Sequence, residues 1–407
     1  MDHTEKAIVL IIDGAAGWPV DELDGCTTLE AAATPHLDRL AQEGVVGLTR
    51  TVPEGMEPSS AVACMSVLGF DPSLYYTGRG PIEALALGIE LEPGQAALRC
   101  NLVSVQEGRL RSYTSGHIPS CESHELIAHL QRHLGSPRVS FHAGVGFRHI
   151  VTVKDGAALL EAECTPPHDI PEQLVADHLP KGSGSEILLD LMERSQGLLA
   201  EHPVNRARVQ RGELPTTQIW LFWPGMQPGA MPSFASTYNC RAALSTAVDL
   251  LRGLARQVSM DILDIPGVTD TNDNDFAGQM AGSLEALRDY DAVIVHVEAP
   301  DEAGHAGRTR EKVEALEMVD RLMVPQILDL PYPVRLLVQP DHPTPLRVRT
   351  HVSEPVPFLV WAPGKVVPNG ADAYSEAQAA GTGLLVDPGY ELMRRFLAVP
   401  RPKPECS

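Results

Sequence analysis

The sequence predicts an α/β protein in which a mostly parallel sheet is sandwiched by helices and interrupted by a smaller inserted α+β domain. Three observations predict it. Short, continuous apolar runs at 7–12 (AIVLII), 292–297 (AVIVHV), 334–338 (VRLLV) and 356–361 (VPFLVW) read as strands buried on both faces. Helical patterns separate them, as at 275–288 and 309–328, and that alternation is the signature of a parallel sheet with crossover helices. Residues 78–230 read differently, with shorter strand candidates and frequent prolines. The 407 residues are also more than one core comfortably serves, so two domains are expected: 1–77 with 231–407, and an insertion at 78–230.

Taken in order, the run at 7–12 ends at Asp13-Gly14, a sharp turn after a buried strand. Thr34-Pro35 opens a helix through Ala41-Gln42, with Gly44 as its stop. In the insertion, 98–105 (LRCNLVSV) and 147–153 (FRHIVTV) read as strands, and 122–134 and 185–200 as helices. The strand-like runs at 292–297 and 334–338 lead into Pro300-Asp301 and Pro340-Asp341. The end of the chain, 399–407 (VPRPKPECS), reads as a loose tail.

Composition narrows the function. Lys plus Arg total 32 against 53 Asp plus Glu, a formal charge of −21. Such a surface is repelled by nucleic acid and by anionic membranes, so neither is an expected partner. An anionic substrate would need metal ions or clustered arginines to overcome the repulsion locally. The seven cysteines are widely spaced and form no CxxC pair, which suits free thiols in a reducing compartment. No apolar run reaches the roughly 18 residues that span a bilayer, and the start lacks signal-peptide features, so a cytoplasmic location is expected.

The chemistry lies in polar residues just beyond the strand-like runs. Asp13 follows the first, Asp301 and His305 the second, and Asp341 and His342 the third, with His351 soon after in RTHVSEP. In an open parallel sheet, sites form outside the carboxyl ends of the strands, so these distant segments would deliver side chains to one crevice. Asp301 and His305 are four apart and share a face if helical. Asp341-His342 lies between Pro340 and Pro343, which argues for a bend that turns both toward the crevice. Mixed carboxylate and imidazole ligation suits Mn²⁺, Zn²⁺, Fe²⁺ or Co²⁺ better than Ca²⁺, and three Asp with three His suffice for two ions. A nucleophile candidate sits in EPSSAVACMSVLGFDP, where Ser59-Ser60 precede a helical start. A serine there meets a helix dipole and a metal, although either serine could serve only as an N-cap.

With these residues assembled, the chain resembles the archaeal-type cofactor-independent phosphoglycerate mutases of the alkaline phosphatase superfamily. The resemblance runs over nearly the whole sequence: IIDGAAGWP, LEAAATPHLDRLAQEG, LGFDPSLYYTGRGPIEA, RCNLVSV, SGHI, FRHI, PPHDI, LPKG, HPVNRARVQRG, HVEAPDEAGHAG, PDHPTP and RTHVSEPVPF. It implies an alkaline-phosphatase-like fold and interconversion of 3-phosphoglycerate and 2-phosphoglycerate through a phosphoserine at Ser60. It also implies two divalent ions, Mn²⁺ first, with Mg²⁺, Zn²⁺ or Co²⁺ as alternatives. Asp301, His305 and His351 are expected to hold one ion; Asp13, Ser60, Asp341 and His342 are expected to hold the other. His117, Arg148, His168, Asp169 and Arg208 of the insertion, with Arg79, are candidates to hold the substrate. The implied partner is a small phosphorylated molecule, and a homo-oligomer is left open. One position departs from the family pattern: Ala61 stands after the nucleophile, where an acidic residue is usual. A metal-dependent phosphatase and a homoserine kinase-like enzyme therefore remain alternative readings of the same site, as does a catalytically silent relative.

Overall fold

A computed structural model describes residues 5–226 and 231–398, so the tail expected at 399–407 lies outside the described residues. The strands in chain order are β1 (Lys6–Ile12), β2 (Val45–Thr49), β3 (Ala96–Gln106), β4 (Arg109–Ser112), β5 (Val139–His142), β6 (Arg148–Val153), β7 (Gln218–Met226), β8 (Ala242–Ser245), β9 (Asp261–Ile262), β10 (Ala292–Val297), β11 (Val334–Gln339), β12 (Val356–Trp361) and β13 (Leu385–Val386). The chain divides into two compact units, one from the described residues of Met1–Tyr76 and Ala230–Ser407, the other from those of Thr77–Gly229.

The first unit is an eight-stranded sheet in the order β13-β2-β12-β11-β1-β10-β8-β9. β1 lies at its centre, parallel to β10 and β11, and β8 and β9 extend the parallel run. Every residue of β10 and β11, and all of β1 after Lys6, is buried, as strands covered by helices on both faces must be. β12 departs from the parallel expectation and runs antiparallel to both β11 and β2. The segment between β11 and β12 holds no helix. A parallel return needs a crossover connection, so the chain doubles back instead.

The helix expected over 309–328 is broken in a useful way. Thr309–Met318 passes into a π-helical turn, Val319–Met323, before Val324–Leu328. The wider turn precedes Pro325, whose missing N–H cannot continue a regular ladder. It buries Asp320, which accepts from the N–H groups of His36 and Leu37 at 3.3 and 2.7 Å and so caps the helix Pro35–Glu43.

The second unit is a five-stranded antiparallel sheet, β4-β3-β6-β5 with β7 also paired to β3. The helices Ser120–Leu134 and Ser185–Ala200 contribute Leu126, Leu130, Leu188 and Leu199 to the same core as Trp220 and Phe222 of β7. Within it β6 buries His149, whose Nδ1 accepts from the Gly144 N–H at 3.0 Å.

Burial holds the His149 imidazole down to about 3, well below the ordinary value of 6.5. Between those values the unfolded chain binds a proton that the folded chain refuses. Stability therefore falls as pH drops from about 6.5 toward 3, by up to about 1.4 kcal/mol per pH unit from this one group. His149→Gln keeps an acceptor for Gly144 and is expected to flatten that acid slope, measured as urea-unfolding stability by tryptophan fluorescence at several pH values. An unchanged slope would assign the acid sensitivity elsewhere.

Candidate two-metal site

The seven expected ligands all lie in the first unit, at the carboxyl edge of its central strands. Asp13 is the first residue after β1, and Asp341 and His342 follow β11 by one residue. Asp301 and His305 share a face of the helix Ala299–Ala306, which starts just after β10 and ends at Gly307 in the left-handed region. Ser60 opens the helix Ser60–Val67, and Ser59 is its N-cap, accepting from the Val62 N–H at 3.4 Å. The two serines thus divide the roles left open by the sequence: Ser59 caps, and Ser60 faces the cluster with its Oγ 3.1 Å from His342 Nε2.

Three clusters of candidate donors form among the described residues: Asp13 meets Cys64 and His296 in one, and the other two are the sets expected from the sequence. In one of these two, donor atoms of Asp301, His305 and His351 lie within 4.8 Å of one another; in the other, those of Asp13, Asp341 and His342 do. The imidazoles of His342 and His351 stack with centroids 3.8 Å apart, which brings the sets side by side. His305 Nδ1 lies 2.9 Å from the carbonyl oxygen of Arg349. A carbonyl only accepts, so Nδ1 carries a proton and Nε2 is the nitrogen left to ligate a cation. That Nε2 lies 3.1 Å from Asp301 Oδ2 and 2.9 Å from His351 Nε2.

The electrostatics are those of a cation site. Asp13, Asp301 and Asp341 are buried, and Glu298 stands beside them with little exposure. Burial, reinforced by Asp341, pushes the Asp13 carboxyl well above its ordinary range, and burial with Asp301 does the same to Glu298. Burial presses the His342 imidazole down to about 4, which keeps it in the neutral, ligating form. Among the described residues Asp13 Oδ1 has no hydrogen-bond partner although it is buried, an arrangement that a bound cation would satisfy. The oxygen and imidazole donors present therefore fit two borderline divalent ions.

Around the ligands stand residues that the sequence reading passed over. His296 of β10 holds Asp13 Oδ2 at 2.7 Å through Nε2, and its Nδ1 meets Thr246 Oγ1 at 3.0 Å. Cys64, one helical turn after Ser60, donates to Asp341 Oδ2 at 3.3 Å. Thr344 donates to Asp301. The buried Lys312 ammonium donates to the carbonyls of Ala16 and Thr344 at 3.3 and 2.8 Å, tying together the two loops that carry Asp13 and His342. A histidine inside an otherwise apolar strand, and a lysine on the inner face of the helix after His305, were the available signals. Ala61 is buried in the helix directly behind Ser60.

The substrate candidates lie in the second unit. His117 is exposed and ends a run of three left-handed residues, Ser115, Gly116 and His117. It helps to line a small cavity with Tyr113 and Pro171. His168 and Asp169 occupy an exposed turn, 3.8 Å apart. The His168 ring packs edge-on against Tyr113 and Trp223, Arg79 lies 4.0 Å over the Trp223 ring, and Arg148 lies 5.9 Å over Phe147, which in turn meets Tyr113. An aromatic chain thus links Arg79, Arg148 and His168 and reaches the His117 turn. Arg208 departs from its expected place. It is buried, and its guanidinium donates to Glu122, the Leu214 carbonyl and the Ser115 carbonyl at 2.6, 2.9 and 2.7 Å. With those donors committed, it anchors the His117 turn instead of presenting itself to a ligand.

Comparison with known proteins agrees with this geometry. Residues 41–205 match the sequence profile of 2,3-bisphosphoglycerate-independent phosphoglycerate mutase. A protein of that name from Methanothrix thermoacetophila is 43% identical over 97% of this chain and 100% of its own length. A probable one from Geobacter sulfurreducens is 42% identical over 96% and 99%. Among solved structures, a Pyrococcus horikoshii protein superposes with a TM-score of 0.81 at 27% identity, covering 97% of each chain. A cofactor-independent phosphoglycerate mutase from Thermoplasma acidophilum does so at 0.65 and 25% identity, covering 97% of this chain and 99% of that one.

Gly14 has φ +60°, and a Cβ there would come within 2.8 Å of the Asp301 backbone. Gly14→Ala is expected to lower stability by about 2 kcal/mol or more, from left-handed strain plus the clash. It should also weaken metal retention at least about tenfold by displacing Asp301. Thermal melts and metal content after dialysis check both; wild-type metal retention would mean that this close approach does not set the ligand geometry.

Proposed function

Because the chain belongs to the 2,3-bisphosphoglycerate-independent phosphoglycerate mutase family, we propose that it interconverts 3-phosphoglycerate and 2-phosphoglycerate through a phosphoserine at Ser60. The observation that carries this reading is the convergence of Asp13, Asp341 and His342, with the Ser60 hydroxyl against His342 and with Asp301, His305 and His351 alongside. Asp301, His305 and His351 would hold one divalent ion, and Asp13, Ser60, Asp341 and His342 the other, with Mn²⁺ the first candidate. When bound, the ions supply positive charge to the phosphoryl oxygens and acidify the Ser60 hydroxyl.

The protein's own groups account for the remaining chemistry. Ser60 Oγ gives up its proton to solvent water and attacks phosphorus in line; the new Oγ–P bond forms as the bond to the glycerate 3-oxygen breaks. The released oxygen takes a proton, and the glycerate stays bound and reorients. Its 2-hydroxyl then loses a proton, attacks the phosphoserine, and leaves Ser60 free again. His117, or Asp169 beside His168, is assigned the proton traffic on glycerate, and Arg79 and Arg148 the anionic groups of the substrate. Arg208 is assigned to support of the His117 turn. A cytoplasmic location belongs to the same reading.

The test is turnover of 3-phosphoglycerate by the purified chain with added Mn²⁺ and no bisphosphoglycerate. We expect 2-phosphoglycerate as product, loss of activity on chelation, and a fall of about 10⁴-fold or more for Ser60→Ala. A Ser60→Ala protein that still interconverts the two would remove the nucleophile from the mechanism. Free phosphate in place of 2-phosphoglycerate would make the chain a phosphatase.

A further inference from the structure

A second group of imidazoles stands in the second unit and shares no residue with the cluster just described. His129 and His133 are one turn apart on the helix Ser120–Leu134, whose opposite face buries Leu126, Ile127, Leu130 and Leu134. Their ring centroids are 4.4 Å apart. His202, the N-cap of the helix Pro203–Gln210, places its ring 4.8 Å from His129 on the other side. His202 Nδ1 accepts from the Val204 N–H at 3.3 Å, which leaves Nε2 free of that role. His133 is exposed, and His129 and His202 are half-buried, so the cluster is open to an ion from solution.

We propose that His129, His133 and His202 form a binding site for a borderline divalent transition metal such as Ni²⁺, Cu²⁺ or Zn²⁺. Two histidines at i and i+4 present their nitrogens in one direction, and the third comes from a different helix, so the ion would staple the two elements together. Nitrogens sharing one cation at about 2.0–2.1 Å stand roughly 3 to 3.5 Å apart; as placed, the three rings do not bring one nitrogen each within 4.8 Å of the others, so an ion would have to draw them together by side-chain rotation. Like-charged rings this close disfavour protonation: burial lowers the His129 pKa, and His202 and His133 lower it further. The imidazole is then neutral, the form that ligates. An all-imidazole set selects Ni²⁺, Cu²⁺ and Zn²⁺ over Mn²⁺, so this site differs in preference from the carboxylate-rich one in the first unit.

The experiment is calorimetric titration of Ni²⁺ into the untagged full-length chain, with Mn²⁺ kept saturating. Wild type is expected to take up one Ni²⁺ that the His129→Gln, His133→Gln double variant does not. His202→Asn, which retains a good N-cap, is expected to bind it more than about tenfold more weakly. His133→Gln alone, on the exposed side, serves as a second variant that leaves the half-buried rings in place, and it should weaken binding likewise. Phosphoglycerate turnover should be the same in all four proteins, which separates this site from the catalytic one. Identical Ni²⁺ isotherms for wild type and the double variant would overturn the proposal. So would a His202→Asn protein that binds as tightly as wild type.

Discussion

Four carboxylates brought together out of water set the terms for the first unit. Asp13, Glu298, Asp301 and Asp341 meet at the ends of β1, β10 and β11; burial opposes ionisation of all four, and with the neighbouring carboxylates it pushes Asp13 and Glu298 well up, while the adjacent imidazoles hold Asp301 and Asp341 below the ordinary range. A set like that is stable in charged form only if positive charge is held among the oxygens. Two imidazole-supported divalent ions would supply it; among the described residues, hydrogen bonds alone leave Asp13 Oδ1 without a partner. The same concentration of negative charge makes the place suitable for phosphoryl transfer. Ions bound tightly there retain charge to offer to phosphate oxygens, on a chain whose net charge of −21 otherwise repels an anion.

Much of the surrounding structure serves to hold those groups still. The Gly14 N–H and the His342 N–H both donate to Asp341 Oδ1, at 3.2 and 2.8 Å. His296 orients Asp13, Cys64 and Thr344 bind the other carboxylates, and the Arg349 carbonyl sets the His305 tautomer. Lys312 adds a buried cation that, among the described residues, makes no direct bond to a carboxylate. Its donors go to loop carbonyls, so it acts by fixing backbone, while its charge offsets part of the cluster's. Such outer partners decide whether the ligands meet with the right geometry, and a chain lacking them would hold the same ligands loosely.

The second unit relies on different means. Aromatic rings there position Arg79, Arg148 and His168, and a strained turn presents His117. Ser115 and His117 each occupy a backbone region that costs a non-glycine residue roughly 1–2 kcal/mol. The turn is held by Arg208 on the Ser115 carbonyl, Thr216 on the Ser115 hydroxyl, and the Ser112 and Thr114 hydroxyls on the N–H groups of Gly116 and His117. A conformation maintained against strain by this many bonds is what a side chain with a positional task requires.

The amino-acid sequence by itself determined the class of fold and named the candidate ligands. Short continuous apolar runs bounded by turn residues read as strands buried on both faces, and Asp or His just past the ends of parallel ones gather at one sheet edge. It did not determine that β12 runs antiparallel, that Asp320 reaches the helix Pro35–Glu43 from a π-helical turn, or that Arg208 is buried among Glu122 and two carbonyls. Nor did helix and turn chemistry, without the family resemblance, distinguish Ser59 from Ser60, since they stand side by side at the start of one helix and differ only in which way each side chain faces. Those matters were decided by contacts between residues scores to hundreds of positions apart. Local periodicity and turn chemistry carry no record of such contacts, because the energies that select them arise only when the packed chain brings the groups together.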